Sequence, residues 1–377
     1  MSDIKHIALF VPTMGGGGAE RVVMLLANGF SERGYKVDLI LVKAAGPYLN
    51  DISNSVRVVD LNCNRVSLSL WPLIRYLIAE RPDAVISALR TCNIIAAIAR
   101  KISSVPTRLV ISEHSNFKLR MSGPQWRPYF LYKIMRFAYR MADEVVAVSE
   151  GVARELEEGL HLKKGSVLKI YNPVLTKTML AALADRQDTF RYKRGSPPVI
   201  LSVGRLVKEK DFPTLIRAFE IVKKSQDARL LILGEGNMRA CLEEMIIERR
   251  LADHVDMPGF VTDPFSYMKS SSVFVISSEL EAFGNVLVEA MACGIPVVAT
   301  ATSGPVEILE GGKWGRIVPI GKEEELADAI IESLKSGTTV DATQRALRFD
   351  VDNALDQYIA AIFPRYDVAY SKERDGN

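Results

Sequence analysis

Several short segments of this chain carry residue types suited to an anionic ligand. The first, Met14-Gly15-Gly16-Gly17-Gly18-Ala19-Glu20-Arg21, lies between an apolar run at 7–11 and an amphipathic segment at 19–33. Consecutive glycines let backbone amides approach a ligand closely, and a helix N-terminus favours negative charge. A dinucleotide site is the rival reading of such a loop. That fingerprint asks for an acidic residue at the end of the second strand, about 20 residues on. Asp38 has the distance but begins the run 37–42, which closes on Val42-Lys43 without a carboxylate. A plain tight turn would not need four glycines.

The second segment is Ser202-Val203-Gly204-Arg205-Leu206-Val207-Lys208-Glu209-Lys210-Asp211, between a strand pattern and a helix pattern at 212–224. Arg205 and Lys210 then sit at a strand's carboxyl end. Two cations there can neutralise a diphosphate leaving group, Arg with a bidentate fork and Lys as a point charge. The third is Glu281-Ala282-Phe283-Gly284-Asn285-Val286-Leu287-Val288-Glu289-Ala290-Met291. On one continuous helix the two carboxylates would diverge by about 80°. With Glu281 in a loop and a helix starting near Gly284, both can face one ligand, because Glu289 leans back toward the helix N-terminus. The amides of Phe283, Gly284 and Asn285 would add an anion site. A fourth candidate is His114, one of four histidines, within Ile111-Ser112-Glu113-His114-Ser115-Asn116 at another strand tip.

Parallel βαβ units are what must position these tips. Apolar runs at 7–11, 37–42, 56–61, 84–88, 108–112 and 145–149 alternate with longer amphipathic segments such as 19–33 and 92–102. The alternation breaks over the polar stretch 175–198 and restarts at 199–203, 230–233, 255–257, 273–277 and 297–300. Such alternation predicts an α/β chain of two doubly wound domains. The linker falls near Asn172-Pro173, with a lead-in helix before Pro197, and a last amphipathic segment covers 351–363. Ligands of such sheets bind beyond the strands' carboxyl ends, which with two facing domains means the cleft between them.

The bulk numbers agree with that plan. A length of 377 residues suggests two domains, each able to bury a core. A net charge of +3 does not call for nucleic acid, while a mild basic excess suits diphosphates or acidic lipids. Cys63, Cys92, Cys241 and Cys293 show no CxxC pairing and read as reduced, cytoplasmic thiols. The first ten residues already read as a strand, not a signal peptide, and no run reaches the roughly 18 apolar residues of a membrane span. Two weaker signals remain. Asp350-Val351-Asp352 has the DXD shape of a metal site but precedes a helix, where carboxylates cap. Segment 126–140 mixes Lys133, Arg136 and Arg140 with Phe130, Tyr132 and Phe137, which suits either packing or an anionic membrane surface.

In this order and spacing the segments resemble the GT4 family of retaining glycosyltransferases, over nearly the whole chain. Glu281 and Glu289 resemble its EX7E signature, Gly204-Arg205 with Glu209-Lys210 its phosphate-binding segment, and Gly15 to Arg21 its N-terminal loop. The stretch from Glu289 to Thr300, EAMACGIPVVAT, is similar to the family's own. The resemblance implies a GT-B fold: 1–172 plus the C-terminal helix 349–377 form the acceptor-side Rossmann-like domain, and 173–348 the donor-binding one. It implies that Glu289 accepts hydrogen bonds from the ribose and that Glu281 and His114 lie near the donor sugar. Arg205 and Lys210 would stand at the diphosphate, and Gly259, Phe260 and Val261 would line the nucleobase. Relatives carry an acidic residue just after the histidine. Here it is Ser115, which leaves Glu113 and Asn116 as candidate partners of His114. The family needs no bound metal, so neither a metal nor another cofactor is expected. The segment Asn285-Val286-Leu287 resembles members that use UDP-sugars to extend lipid-linked or cell-surface glycans. The expected partners are therefore a nucleotide-sugar donor, a glycan acceptor carried on a polyprenyl diphosphate or a polysaccharide, and an anionic membrane surface. The implied location is the cytoplasm, peripherally on the membrane. An epimerase or hydrolase of the same fold, or a non-catalytic nucleotide-sugar binder, are the competing functions.

Overall fold

Each short β-branched run forms a strand and each segment of 3.6-residue period a helix. The computed structural model describes residues 5–116, 126–184, 197–261, 263–336 and 340–364, with 126–130 and 184 as backbone alone. The chain divides into two compact units, Met1–Pro173 with Val351–Asn377, and Val174–Asp350.

The first unit runs β1 (His6–Val11), α1 (Gly18–Glu32), β2 (Lys36–Leu41), β3 (Val56–Asp60), α2 (Leu70–Glu80), β4 (Ala84–Ala88), α3 (Arg90–Ser103), β5 (Arg108–Glu113), α4 (Trp126–Arg140), β6 (Glu144–Ala147), α5 (Glu150–Leu160) and β7 (Val167–Lys169). Its seven parallel strands lie in the order β3-β2-β1-β4-β5-β6-β7, so the order reverses between β1 and β4. Helix α1 shows how sequence sets packing. Val22, Val23, Leu26, Ala27 and Phe30 fall on one face and are buried against the sheet, and each large side chain stabilises by roughly 1.5–3 kcal/mol.

The second unit runs α6 (Lys177–Ala184), β8 (Val199–Val203), α7 (Phe212–Ser225), β9 (Arg229–Leu233), α8 (Arg239–Glu248), β10 (Val255–Gly259), α9 (Pro264–Ser270), β11 (Val273–Ile276), α10 (Asn285–Ala292), β12 (Val297–Thr300), α11 (Ser303–Ile308), β13 (Arg316–Val318), α12 (Glu323–Ser336) and α13 (Thr343–Ala346). The six parallel strands take the order β10-β9-β8-β11-β12-β13, which reverses between β8 and β11. The lead-in helix expected before Pro197 is α6, which ends at Ala184; residues 185–196 lie outside the described residues.

After Asp350 the chain returns to the first unit as α14 (Val351–Ile362). Arg33, which caps the end of α1, holds the carboxylates of Asp352 at 3.0 Å and Asp356 at 2.6 Å, and the Arg108 Nε donates to the Ala361 carbonyl at 2.9 Å. Leu355 lies over Gly29, where a Cβ would stand 2.5 Å from its Cδ1, so a larger residue there would require the Leu355 side chain to shift. Asp352 of the DXD shape thus serves α14 docking. Among the described residues no helix is long and apolar enough to cross a membrane, and the four cysteines are unpaired.

Asp38 explains itself structurally. It is fully buried on β2 and accepts hydrogen bonds from His6 at 2.9 Å, from Arg57 Nε at 2.8 Å, and from the Tyr76 hydroxyl. Burial alone would raise its pKa. The bonds from His6, Arg57 and Tyr76 outweigh burial and hold the carboxyl well below the usual carboxylate range. A depressed folded pKa stabilises above the unfolded value, near 3.9, and that contribution disappears as pH falls toward the folded value. Urea unfolding of Asp38→Asn should therefore show a loss of roughly 3 kcal/mol at pH 7. The variant should also lose part of the decline in stability that the wild type shows below about pH 4. A variant as stable as wild type at pH 7 would remove this role from Asp38.

Candidate functional site

In the second unit, five loops leave the carboxyl ends of adjacent strands and stand in a row. They follow β10, β9, β8, β11 and β12. Two glycine contacts bind neighbouring loops. A Cβ on Gly234, after β9, would stand 1.9 Å from the Gly204 carbonyl oxygen, and one on Gly304 would stand 2.1 Å from the Phe283 carbonyl oxygen. No other residue fits either place. The amide of Leu206 donates to the Glu235 carbonyl at 2.8 Å, and that of Gly234 to the Gly259 carbonyl at 2.8 Å. Sequence reading had not singled out Gly234, Gly236 or Gly304, although a Gly-x-Gly directly after an apolar strand is a legible signal.

The centre of the row is the point where the strand order turns back. Lys210, from the loop after β8, forms an ion pair with Glu281, from the loop after β11, and both are largely shielded from water. The Ser277 hydroxyl donates to the Lys210 carbonyl at 2.9 Å, and the amides of Glu279 and Gly304 donate to the carbonyls of Glu209 at 2.9 Å and Glu281 at 3.1 Å. Backbone hydrogen bonds therefore fix both partners. A recess here is lined by Ser202, Val203, Lys210, Ser278, Glu281 and Val286. Arg205 is exposed, and its guanidinium makes no hydrogen bond or ion pair with the described residues, although its carbonyl accepts from the Val207 amide at 2.9 Å. Helix α10 starts at Asn285 with Gly284 before it at φ +107°, so Glu281 is in the loop and Glu289 in the helix. Glu289 is fully buried. Phe283 is also buried, packed edge-on against Phe349 at 5.6 Å. Gly259 ends β10 at φ +97°, followed by Phe260, 55 % exposed, and a partly buried Val261.

In the first unit, Gly15, Gly16, Gly17 and Gly18 join β1 to α1. Gly16 takes φ +89°, and Gly17 precedes the helix, receiving the Arg21 amide at 3.1 Å. His114 follows β5. Neither Glu113 nor Asn116 is its partner. Side chains alternate along a strand, so residues 112 and 114 share one face while 113 takes the other. Accordingly the His114 Nε2 lies 3.0 Å from Ser112 Oγ. Glu113, fully buried, accepts from Ser115 at 2.6 Å and from the Tyr139 hydroxyl at 2.5 Å. Burial pushes the His114 pKa down to about 4, against an opposing interaction with the Asn172 side chain, so the ring is neutral at physiological pH.

One trio of possible metal ligands gathers among the described residues: His6, Asp38 and Glu80. Arg57 already binds both carboxylates, donating to Asp38 at 2.8 Å and to Glu80 at 2.9 Å. That trio is the structural cluster of β2 described above. It involves none of the strand-end loops.

Comparison with known proteins follows the same division. Residues 16–177 match the model of Glycosyltransferase Family 4, and residues 185–348 that of Glycosyl transferases group 1. The chain is 28 % identical over 364 residues to an N-acetylgalactosamine-N,N'-diacetylbacillosaminyl-diphospho-undecaprenol 4-alpha-N-acetylgalactosaminyltransferase of Campylobacter jejuni, covering 92 % of this chain and 93 % of that one. It is 29 % identical over 318 residues to the lipopolysaccharide core biosynthesis glycosyltransferase LpsE of Rhizobium meliloti, covering 83 % and 84 %. Among solved structures, Anabaena HepE in complex with UDP superposes with a TM-score of 0.75 at 22 % identity, covering 95 % of this chain and 99 % of that one. The fold is GT-B.

The pairing of Lys210 with Glu281 can be measured directly. A double-mutant cycle of Lys210→Met and Glu281→Gln, read by urea unfolding, should give a coupling of about 1–2 kcal/mol, since the pair is shielded yet reached by water. A coupling near zero would show that the two side chains do not meet in solution.

Proposed function

The chain belongs to the family 4 glycosyltransferases, and we propose that it moves a sugar from a UDP-sugar to a lipid-linked glycan or a cell-surface polysaccharide, with retention of anomeric configuration. The observation that carries this reading is the Lys210–Glu281 pair at the turning point of the second sheet, with Glu289 buried in the helix that follows. In open α/β sheets that turning point is where ligands bind. The relatives support this reading: the Campylobacter enzyme acts on a diphospho-undecaprenol glycan, and HepE is seen with UDP.

Each residue has a role in this reading. Arg205, Lys210 and the N-terminus of α10 at Phe283, Gly284 and Asn285 balance the charge of the diphosphate, with the glycines 15–18 of the first unit as a further anion site. Glu281 orients Lys210 and stands beside the donor sugar, Glu289 accepts from the ribose hydroxyls, and Gly259 to Val261 line the base. His114 contacts the sugar as a neutral imidazole. The bond between the anomeric carbon and the β-phosphate oxygen breaks while the acceptor oxygen bonds to that carbon from the same face. The departing phosphate oxygen takes the acceptor's proton, so no enzymic nucleophile is required.

A panel of nucleotide sugars, scored by thermal shift and by nucleotide release with and without a polyprenyl-diphosphate glycan, tests the function. Acceptor-dependent release supports transfer; release without acceptor would mean a hydrolase, and donor binding without turnover a binding protein. Within that assay Lys210→Ala and Arg205→Lys should both turn over slowly while folded. Glu289→Ala should bind free nucleotide about tenfold more weakly, whereas Glu281→Gln should bind it normally and transfer slowly. The opposite pattern would exchange the two carboxylates' roles. Activity should persist in excess EDTA; loss on chelation that manganese or magnesium restores would put a metal in the mechanism.

A lipid-linked acceptor brings the enzyme to a bilayer on its cytoplasmic face. Helices α2, α3 and α4 pack side by side. Together they hold eight Lys or Arg residues and one acid, Glu80, against 48 and 45 in the whole chain. Their exposed side includes Trp71 at 64 %, Phe137 at 64 %, Leu68, just before α2, at 60 %, and Lys133 and Arg140. Of the segment 126–140, the side chains of Trp126 and Phe130 lie outside the described residues. Cations near an anionic surface contribute about 1 kcal/mol each and are screened by salt. Lys133→Gln with Arg140→Gln, and separately Trp71→Ser, should release the enzyme from phosphatidylserine vesicles at low salt, with activity on a short water-soluble acceptor kept. Wild type that never sediments with such vesicles would make the acceptor a soluble glycan.

A further inference from the structure

Two hydroxyls line up behind His114, and one of them comes from the far end of the chain. Tyr358 of α14 is 1 % exposed, and its hydroxyl lies 2.9 Å from Ser112 Oγ. Ser112, also 1 % exposed, places the same Oγ 3.0 Å from His114 Nε2. We infer that Tyr358, acting through Ser112, is a positioning residue that holds His114 as the Nδ1–H tautomer.

A neutral ring, a serine and a tyrosine bring three protons, and the chain of bonds can run in two directions. In one, the Tyr358 O–H donates to Ser112 Oγ, the Ser112 O–H donates to Nε2, and the ring proton sits on Nδ1. In the other, Nε2–H donates to Ser112, Ser112 donates to Tyr358, and the phenolic proton is left in a dry site. The Tyr358 hydroxyl has no hydrogen-bond partner except Ser112 among the described residues. In the first direction the Nδ1 proton faces the Asn172 side chain, whereas in the second the phenolic proton meets no acceptor among the described residues; since a buried donor without an acceptor costs more than an unused lone pair, the first direction prevails. The remaining nitrogen, Nδ1, is buried without a well-aligned hydrogen bond, with the Asn172 side chain as its polar neighbour. Its N–H therefore points toward Asn172 and any ligand oxygen that takes the place of that amide.

The consequence is chemical. A histidine held this way gives a hydrogen bond through Nδ1 and cannot accept one there, so it recognises an oxygen lone pair such as that of a sugar hydroxyl. Its effect on transfer rests on the proposed function; the tautomer does not.

Long-range proton–nitrogen correlation spectra of the full chain read the tautomer directly. The chain has four histidines, and His114→Gln identifies the signals of interest. Wild type should show Nδ1 with the shift of a protonated nitrogen and Nε2 with that of a bare one. Ser112→Ala and Tyr358→Phe should both move these shifts toward a mixture of tautomers, since either change frees the ring or releases Ser112 to accept as well as donate. Ser112→Thr, which keeps the hydroxyl, should retain the wild-type pattern. A wild-type ring protonated on Nε2, or shifts unmoved in both variants, would overturn the inference. Movement in Ser112→Ala alone would overturn the part of Tyr358. Sugar transfer, assayed separately, should slow about tenfold in Tyr358→Phe. A moved tautomer with an unchanged transfer rate would support the relay and count against contact between His114 and the sugar.

Discussion

A shielded ammonium–carboxylate pair joins Lys210 to Glu281 across the point where the second sheet turns back. The parallel strand order makes this contact available. Because β11 pairs with β8 and not with β10, the loops that end β8 and β11 are neighbours, although 71 residues separate the two side chains. Everything else in the candidate donor site is arranged around that join. The recess opens beside it, the loop of Glu281 leads into α10, and α10 carries Glu289. Removing one charge would leave the other partly desolvated, the costly case for such pairs. The pair therefore holds two loops in register and keeps a cation at the strand tip while no anion is bound.

The loops can stand so close because their backbones meet without side chains. Gly234 lies on the Gly204 carbonyl and Gly304 on the Phe283 carbonyl, at separations no Cβ could occupy. These contacts set the distance between the loops after β9 and β8 and between those after β12 and β11. The Arg205 guanidinium alone among the site cations has no partner among the described residues, and it is exposed where Lys210 is held. The geometry thus separates a paired cation from an unpaired one at the same strand tip. An exposed arginine fork suits a bidentate anion, and a paired lysine suits a preorganised site.

The first unit is organised by the return of the chain. Helix α14 docks through Arg33, Arg108 and the gap over Gly29, and that docking delivers Tyr358 to Ser112. Acidic residues on α14 therefore serve attachment, and a tyrosine in its interior reaches the strand tip that bears His114. Asp38 follows a similar logic at the other ends of the strands. There a buried carboxylate is held ionised by three donors from β1, β3 and α2 and ties those elements together.

Period and punctuation in the sequence determined the elements. Apolar runs and 3.6-residue patterns placed the strands and helices, glycine and charged clusters marked the strand-end loops, and the break after Pro173 separated the two units. The helix start at Asn285, which puts Glu281 in a loop, was legible from Gly284 alone. Which side chains meet was not. Local periodicity says which face of an element is buried, but partners across a parallel sheet are chosen by strand order, and that order does not follow the chain. Thus Lys210 with Glu281, Gly234 on Gly204 and Tyr358 with Ser112, 246 residues apart, belong to the tertiary structure. The same reason governs His114. Proximity along the chain favoured Glu113 or Asn116 as its partner, whereas strand alternation turned Glu113 to the opposite face and left the histidine to Ser112.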